Sequence, residues 1–435
     1  MTSGAGPLGG VRVWARAMIV IVLLNACFFA FLVMVGLVPR DRLRDRVTEA
    51  FADRSIVLAN RLPYNTSIGY NQYNDCLILQ MISNEDGRIR RALGPVLYYR
   101  DDFKDMCALT RDLALVGDGQ RVPAGLQSFR YSRYWHGHNA ATALALGIVP
   151  LRVAREMFRW GTYLAAFVLL FSAFRQSGSL RILGVCAATG ALVYWGLQSF
   201  AQSPAHGPAN SMELLGLAAF MVAGPRLHDR SRLVVACAAF GALLTYFELL
   251  TGVLPTAASI LLPVLYFSGD AGGSGWRRTV EGILAFTLGV AMTFLIRTAL
   301  AVAAFGPELL ATSSGNLAYY SQTGDVNRLV AAVRAALYRV SDSGAMLTYG
   351  SRVGMAFLFG AALLAWVVAL TLALRKRSAA SSNAFLACAA GASLVAAWIF
   401  LLPTHTLNHP YMIRMFMAPV ALGFAALMIQ VRHSR

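Results

Sequence analysis

Residues 15–38 read ARAMIVIVLLNACFFAFLVMVGLV. This run is almost entirely apolar, and it is long enough to cross a bilayer as one helix, which takes about 20 apolar residues. No cleavage site of small residues follows at a suitable distance, as it would after a signal peptide. The stretch therefore predicts a retained signal-anchor helix and a protein that resides in a membrane.

Further apolar runs recur along the chain. A helix satisfies all its backbone polar groups internally, so each run is predicted to be a transmembrane helix. Together with the first run they predict about ten spans. The second, fourth and sixth runs of the chain are short, so the count can shift by one. The further runs lie at residues 160–174, 180–198, 211–225, 232–249, 254–268, 280–304, 353–374, 384–402 and 413–431.

The composition supports a membrane protein. Of 435 residues, 57% are hydrophobic and 14% are charged, whereas a soluble domain carries about 25% charged residues. The net charge of +17 would suggest nucleic acid in a soluble chain, but the basic residues cluster between apolar runs. Only Lys104 and Lys376 are lysines; the rest are arginines. We attribute the charge to membrane orientation and expect no nucleic-acid partner.

Arginine placement predicts the orientation, because positive residues favour the cytoplasmic side. The short connections that carry arginines fall on the same side as Arg12 and Arg16. We therefore expect both termini on the cytoplasmic side of a bacterial inner membrane. These connections are residues 175–181, 226–232, 277–278, 375–377 and 432–435.

The expected fold is an all-α integral membrane protein in three parts. Residues 1–38 form the cytoplasmic N-terminus and the first span, and residues 39–158 form a large extracytoplasmic loop. Residues 159–435 form the remaining bundle. Its further outer loops are expected at residues 199–210, 305–352 and 403–412.

Two of the six cysteines, Cys76 and Cys107, lie in the large outer loop. That side is an oxidising compartment in bacteria, so we expect a disulfide between them. Two buried free thiols remain the alternative.

Three arginines recur at helical spacing near the end of the same loop. Arg152, Arg155 and Arg159 stand beside apolar residues, a pattern typical of a helix lying in the membrane interface. The same residues could instead begin the second span, with arginines that reach to the interface. Both interpretations remain open.

Five of the seven histidines fall on the predicted outer side. Each taken alone is more typical of a structural residue at the membrane boundary. Their convergence at one level favours a site, because loops carried on rigid helices commonly hold functional residues. The five are His136, His138, His206, His405 and His409.

Ionisable residues inside apolar runs are a second indication of a site, because a charge in hydrocarbon is costly unless it faces a cavity or a partner. Glu213, Glu248 and Arg414 are expected near the outer surface, and Arg297 lies within a span. They could line a polar cavity or form pairs that serve only packing.

Asp75 follows a stretch rich in tyrosine and asparagine and precedes an apolar run. A carboxylate there is an ordinary helix N-terminal charge. Held rigidly by a neighbouring disulfide, it would also suit a general base.

Several motifs, in this order along the chain, carry a resemblance. YSRYWHG (residues 131–137), PANSME (208–213), YFELLT (246–251) and HTLNHPYMIR (405–414) resemble landmarks of a bacterial family of polytopic membrane proteins. Together with the large first outer loop and its aspartate, they resemble the GT-C superfamily of glycosyltransferases that use polyprenyl-phosphate-linked sugars. The resemblance covers most of the chain.

The resemblance implies transfer of a sugar from a polyprenyl-phosphate donor to an extracytoplasmic glycan, lipid or protein, in the cell envelope. Asp75 matches the first-loop acid that serves as catalytic base in that superfamily. The second acid seen in many members has no match at the usual spacing among Asp101, Asp102 and Asp105. Such chemistry also needs cations to hold the lipid phosphate. The candidates are Arg133, His136, His405, His409 and Arg414.

A second group could line the cavity: His138, His206, Glu213, Glu248 and Arg152. Histidine near carboxylate would permit a divalent cation, although the spacing does not require one and no metal ligands are assigned. Other classes remain in competition. Polar groups in spans also suit a transporter or flippase, and the Asn408-His409 pair has the residue types of a membrane-bound O-acyltransferase. The last competing class is a non-catalytic assembly or scaffold protein.

Overall fold

The computed structural model describes most of the chain. The described residues are 7–60, 62, 72–84, 87–100, 105–116, 125–132, 134–194, 200–227, 229–247, 252–269, 275–323, 325–343, 352–376 and 378–433.

The described chain is mostly helical, with one small sheet in its first third. The first part contains α1 (Pro7–Val35), α2 (Arg40–Ala52), α3 (Tyr73–Asn84), α4 (Arg88–Leu93), β1 (Val96–Tyr99), α5 (Met106–Leu115), β2 (Gln127–Arg130) and α6 (Gly137–Ile148). The second part contains α7 (Leu151–Phe174), α8 (Gly178–Tyr194), α9 (Gly207–Ala223), α10 (Arg230–Phe247), α11 (Val253–Phe267) and α12 (Gly275–Phe305). The last part contains α13 (Glu308–Ser321), α14 (Arg328–Ser343), α15 (Arg352–Lys376), α16 (Ala379–Leu401), α17 (Pro403–Asn408) and α18 (Met417–Arg432).

Seven helices in the described residues are long and apolar enough to cross a membrane. They are Gly10–Val35 of α1, α7, α10, α12, Ala356–Lys376 of α15, α16, and Tyr411–Arg432, in which the 3-10 turn Pro410–Phe416 leads into α18.

Seven of the ten predicted spans thus correspond to helices that are long and apolar enough to cross a membrane among the described residues. The remaining three apolar runs form the shorter helices α8, α9 and α11. α11 has 15 residues and is buried among its neighbours, and a run of that length is also typical of a core helix. Hydropathy alone cannot distinguish a short transmembrane helix from a buried core helix, because both are apolar.

The structure decides between the two interpretations of the arginine-rich run. α6 ends at Ile148, and Pro150 precedes α7, which continues unbroken to Phe174. Arg152, Arg155 and Arg159 therefore occupy the first turns of a long apolar helix. The second of the two interpretations, in which these arginines begin the span, therefore fits the structure.

The described parts of residues 39–150 pack onto one end of the helix bundle around a second hydrophobic core. α3 and α5 pack together, and β1 pairs with β2 in antiparallel register, Leu97 opposite Phe129. This core extends to Phe28 and Leu32 of α1 and to Tyr246 of α10. We call the described part of residues 39–150 the outer segment, after the side of the membrane on which the sequence predicts it.

A polar contact from α1 fastens the outer segment to the bundle. Asn25 is buried within the first span and accepts a hydrogen bond of 2.8 Å from the Trp135 indole. Its amide donates to Thr293 of α12. A polar residue inside the first apolar run is thus satisfied by two partners distant in sequence.

Arg297 of α12 provides a second fastening. Its guanidinium donates to the carbonyl oxygen of Tyr134 at 2.8 Å and to that of Leu93, and lies over the Trp135 ring. The side chain is fully buried. Two of its three nitrogens are therefore paired with backbone carbonyls of the outer segment.

The cation-bearing ends of the helices meet at the opposite end of the bundle. These contacts bring together connections that are far apart in sequence. They are Arg16 to Ser231 at 3.3 Å, Arg278 to the Leu227 carbonyl at 3.0 Å, and Lys376 to the Gln430 carbonyl at 2.8 Å. The fold is that of a multi-pass membrane protein with a basic end and an end that carries the outer segment.

Candidate functional site

A pocket of about 400 Å³ opens between the outer segment and the last third of the chain. Small-molecule sites commonly measure about 300–1,000 Å³. The outer segment supplies Tyr73, Asn74, Leu77, Leu97, Phe129, Tyr131 and Tyr134 to its described lining, and the later helices supply Tyr319, Tyr320, His405, Asn408, His409 and Tyr411.

The lining is rich in tyrosine and carries no Asp, Glu, Lys or Arg among the described residues. Six of the protein's 16 tyrosines line this one pocket. A tyrosine ring presents an apolar face and a hydroxyl group. The described lining therefore suits a neutral part of a ligand, one that has both apolar faces and hydroxyl groups.

Two histidines stand at the C-terminal wall. The His405 ring centroid lies 4.5 Å from those of Tyr320 and His409, and the His409 ring stacks on Tyr411 at 5.1 Å. Tyr411 and Asn74 of the outer segment both line the pocket.

Prolines explain why this wall is a short helix and a turn. Pro403 occupies the first turn of α17, where its missing N–H is tolerated. Pro410 excludes the residue before it from the helical region, and His409 has φ −108° and ψ 108°. α17 therefore ends before His409, and that ring lies at the pocket.

Asp75 lies in α3 next to Asn74, but it is fully buried and does not line the pocket. Its Oδ2 lies 2.9 Å from the guanidinium of Arg155 in α7. Its Oδ1 accepts hydrogen bonds from the Ser203 hydroxyl at 2.5 Å and the Ala205 N–H at 3.3 Å. The carboxyl group joins the outer segment to the bundle.

Two opposing effects act on this carboxyl group. Burial raises the pKa of Asp75 above its ordinary value, while Arg155, Ser203 and the Ala205 N–H oppose that rise. In this arrangement both carboxylate oxygens are engaged and shielded from solvent. Asp75 is positioned to hold α3 in place.

Arg414 lies behind the pocket wall, at 1% exposure. It donates to the Asn210 side-chain oxygen at 2.6 Å and lies over the Phe200 ring. Its second terminal nitrogen is 3.4 Å from His206 Nδ1, and the His206 ring packs against Tyr411. Arg414 therefore supports the wall from within.

Three of the predicted histidines are buried near one another. The ring centroids of His136 and His138 are 5.8 Å apart, and His136 Nε2 is 2.6 Å from the Tyr131 carbonyl oxygen. Burial is the main cause that lowers the pKa of His136 and of His206 well below their ordinary value. Burial also lowers the pKa of His138 to about 4. All three are therefore neutral at pH 7.

The other predicted site residues lie apart from the pocket or outside the described residues. Glu213 is fully buried within α9, and Arg152 is exposed at the start of α7. Arg133 and Glu248 lie outside the described residues. The predicted histidines thus divide into a pocket pair, His405 with His409, and an interior group.

Cys76 of α3 and Cys107 of α5 are joined in a disulfide, the pair selected from the sequence. The bond encloses a sequence separation of 31 residues. It holds α3, whose first turn supplies Tyr73 and Asn74 to the pocket, against α5.

Among the described residues, no three His, Cys, Asp or Glu side chains come together as a group that could hold a metal ion. The adjacent His405 and His409 are the two side chains of these types that line the described pocket. The chemistry available there comes from imidazole, amide and phenol groups.

Sequence reasoning missed most of the tyrosines and the partner of Asp75. The Tyr/Asn-rich stretch before Asp75 and the Tyr319-Tyr320 pair were visible signals of an aromatic site. Arg155 was noted only for its helical spacing. Nothing local connects it to a carboxylate 80 positions earlier, because the pair forms between α3 and α7.

Comparison with known proteins found no matching family model, no matching curated protein and no matching solved structure.

Proposed function

We propose that this protein is a membrane glycosyltransferase of GT-C type, which transfers a sugar from a polyprenyl-phosphate donor to an extracytoplasmic acceptor. The observation that carries the proposal is a pocket beside the helix bundle. Its described lining includes six tyrosines, two asparagines and two histidines, and no Asp, Glu, Lys or Arg. The motif resemblance provides the reaction class.

The pocket chemistry favours a sugar ligand. A pyranose ring has apolar C–H faces that pack on aromatic rings, and its hydroxyl groups need hydrogen-bond partners. Tyr320 and Tyr411 offer ring faces and hydroxyls, while Asn74 and Asn408 offer amides that both donate and accept. A charged ligand moiety would find no partner among the described lining residues.

We assign the general base of this reaction to His409. A base must come within hydrogen-bond reach of the acceptor hydroxyl. His409 lines the pocket and is partly exposed, whereas both oxygens of Asp75 are occupied inside the protein. In the proposed mechanism Asp75 is a positioning residue for Tyr73 and Asn74.

We assign binding of the donor phosphate to Arg133, because it stands between Tyr131 and Tyr134 in the sequence. A guanidinium group suits bidentate contact with phosphate as the leaving group gains charge. Arg414 acts instead by supporting Tyr411 from behind, through its contact with His206, whose ring packs against Tyr411, and through its own hydrogen bond to the Tyr411 carbonyl oxygen.

The proposal is tested on purified protein in lipid nanodiscs. Undecaprenyl phosphate carrying radiolabelled glucose, mannose or arabinose is supplied together with a membrane extract as the source of acceptors. Donor binding and label transfer are measured separately. We expect one of the donors to bind saturably and its label to appear in acceptor material.

His409→Gln should lower the transfer rate by about 10²-fold or more while donor binding stays near wild type, since general-base catalysis contributes about 10²–10⁴-fold. His433→Gln, a histidine at the opposite end of the chain's last helix, is the matched control. A fully active His409→Gln variant would remove the base assignment.

A different pattern would indicate a transporter. Saturable donor binding without transfer, together with movement of the lipid-linked sugar across proteoliposome membranes, would replace glycosyl transfer with translocation. Tyr320→Ala should weaken sugar-dependent binding in either case, because it removes a ring from the pocket.

A further inference from the structure

α14, in the second large outer loop, has three different faces. Ala332, Ala335 and Arg339 pack inward against the protein. A second face exposes the apolar side chains of Leu329, Val330, Val333 and Leu337. Arg334, Tyr338 and Ser341 form a second exposed strip beside it, the polar strip, which carries one positive charge.

The exposed apolar face is unusual for a helix in an aqueous loop. Leu329, Val333 and Leu337 follow each other at four-residue intervals, so they form one continuous strip. Val333 is 49% exposed and Leu337 is 65% exposed. An apolar strip next to a polar strip that carries a positive charge is typical of a helix that lies in a membrane interface.

α14 is unsuited to crossing the membrane. Its 16 residues include Arg328, Arg334, Arg339 and Asp342, and a span needs about 20 mostly apolar residues. A position parallel to the membrane surface satisfies both faces at once.

The transmembrane helix next to α14 exposes large apolar side chains from its first turns. α14 contacts α15 and α16, both long enough to cross the membrane. At the start of α15, Val353 is 80% exposed and Phe357 is 78% exposed. The apolar strip of α14 thus adjoins a span whose first turns already present large apolar side chains outward.

We propose that α14 lies in the interface of the outer leaflet. Leu329, Val333 and Leu337 insert among acyl chains, and Arg334 lies at the level of the lipid phosphates. The occupant of the exposed face is the lipid surface. This inference does not depend on the proposed enzymatic activity.

The position of α14 has a consequence for the pocket. Arg339, on the inward face, donates a hydrogen bond of 2.8 Å to the Leu407 carbonyl oxygen in α17. α17 carries His405 and is followed by His409. Because α14 also contacts the Pro410–Phe416 turn, its seating on lipid fixes the C-terminal wall of the pocket.

Spin labels placed on single cysteines test this arrangement in nanodiscs. The background replaces Cys27 and Cys186, the two free cysteines that are not buried, with alanine. Labels at Val333→Cys and Leu337→Cys report on the apolar strip, and Ser341→Cys reports on the polar strip as matched control. Collision with oxygen, which partitions into lipid, is compared with collision with a water-soluble nickel chelate.

We expect the labels at residues 333 and 337 to favour oxygen severalfold, and the label at 341 to favour nickel. Equal nickel access at all three sites would place α14 in water and overturn the proposal. Low access to both reagents at 333 and 337 would show that protein covers the strip, and would overturn it in favour of self-association.

Discussion

At the scale of single residues, the protein buries several charged or titratable side chains and gives each a specific partner. Asp75 pairs with Arg155, Arg297 binds two backbone carbonyls, and Arg414 pairs with Asn210. An unpaired charge in such surroundings costs several kcal/mol, so these contacts fix how the segments assemble.

The pair of Asp75 and Arg155 should therefore be strongly coupled. Removing one partner of a buried pair costs about 3–5 kcal/mol, because the other charge stays buried and uncompensated. We expect Asp75→Asn and Arg155→Met each to lower the thermal unfolding temperature in detergent. The double variant should lower the unfolding temperature by clearly less than the sum of the two single effects.

A double-mutant cycle isolates this coupling. Arg152→Met, an exposed arginine one turn earlier on the same helix, is the matched control and should have little effect. Additive losses in the double variant would mean that Asp75 and Arg155 act independently.

His138 should make stability depend on pH. Its folded pKa is about 4, against 6.5 for the ordinary group, so its contribution is present above pH 6.5. The contribution is lost as pH falls toward 4, because the unfolded chain takes up a proton that the folded chain does not. This residue alone predicts a loss of about 2 kcal/mol between pH 7.5 and pH 5.

Unfolding temperatures of wild type and His138→Gln, measured between pH 7.5 and pH 5, check this prediction. The variant should show a shallower loss of stability toward acid, with the remaining slope due to other groups. Parallel pH profiles would contradict a neutral buried His138.

At the scale of elements, the stability of the outer segment depends more on a disulfide and on polar contacts with the bundle than on long helices. Its helices α2 to α6 are short, and its sheet has two strands of four residues each. Short helices and isolated hairpins are marginal in water. The disulfide, the contact of Trp135 with Asn25 and the Arg297 contacts supply the missing constraint.

The disulfide should stabilise the outer segment through the unfolded chain. Closing a loop of about 31 residues is worth about 3–4 kcal/mol in the chain-entropy model. We expect Cys76→Ser with Cys107→Ser to expose the outer segment to protease at a lower temperature. Thiol titration of unfolded, non-reduced wild type should find the four free cysteines and not six.

Arg297→Met should loosen the outer segment without disturbing the bundle. Truncating the guanidinium leaves the Tyr134 and Leu93 carbonyls buried without a donor, at about 1–3 kcal/mol for each group. Limited proteolysis should then cut within residues 39–150 faster than in wild type. Arg277→Met, on an exposed turn of the same helix, should leave the cleavage rate unchanged.

At the scale of the whole molecule, the two ends of the bundle differ in chemistry. The basic connections meet at one end, while the outer segment, the pocket and α14 gather at the other. From the positive-inside tendency we predict that the pocket lies outside the cytoplasm.

Impermeant maleimide labelling of spheroplasts tests that orientation. In a background with Cys27 and Cys186 replaced, Ser314→Cys in α13 should react in intact spheroplasts. Ser177→Cys, between α7 and α8, should react only after permeabilisation. The reverse pattern would invert the proposed orientation.

The sequence by itself determined that this is a helical membrane protein. Hydropathy located the apolar runs because satisfying the backbone inside a bilayer is a local requirement, met within each helix. It also indicated the pair of Cys76 and Cys107, and it pointed to His405 and His409 through their polar company near a predicted boundary.

Only the tertiary structure decided how the described helices pack and which side chains meet. Asp75 and Arg155, or Arg414 and Asn210, are joined across elements far apart in the chain, and no periodicity specifies such pairs. The tyrosines of the pocket come from α3, the β2 region, α13 and the turn after α17. Their convergence follows from how the outer segment packs on the bundle, which depends on many long-range contacts at once.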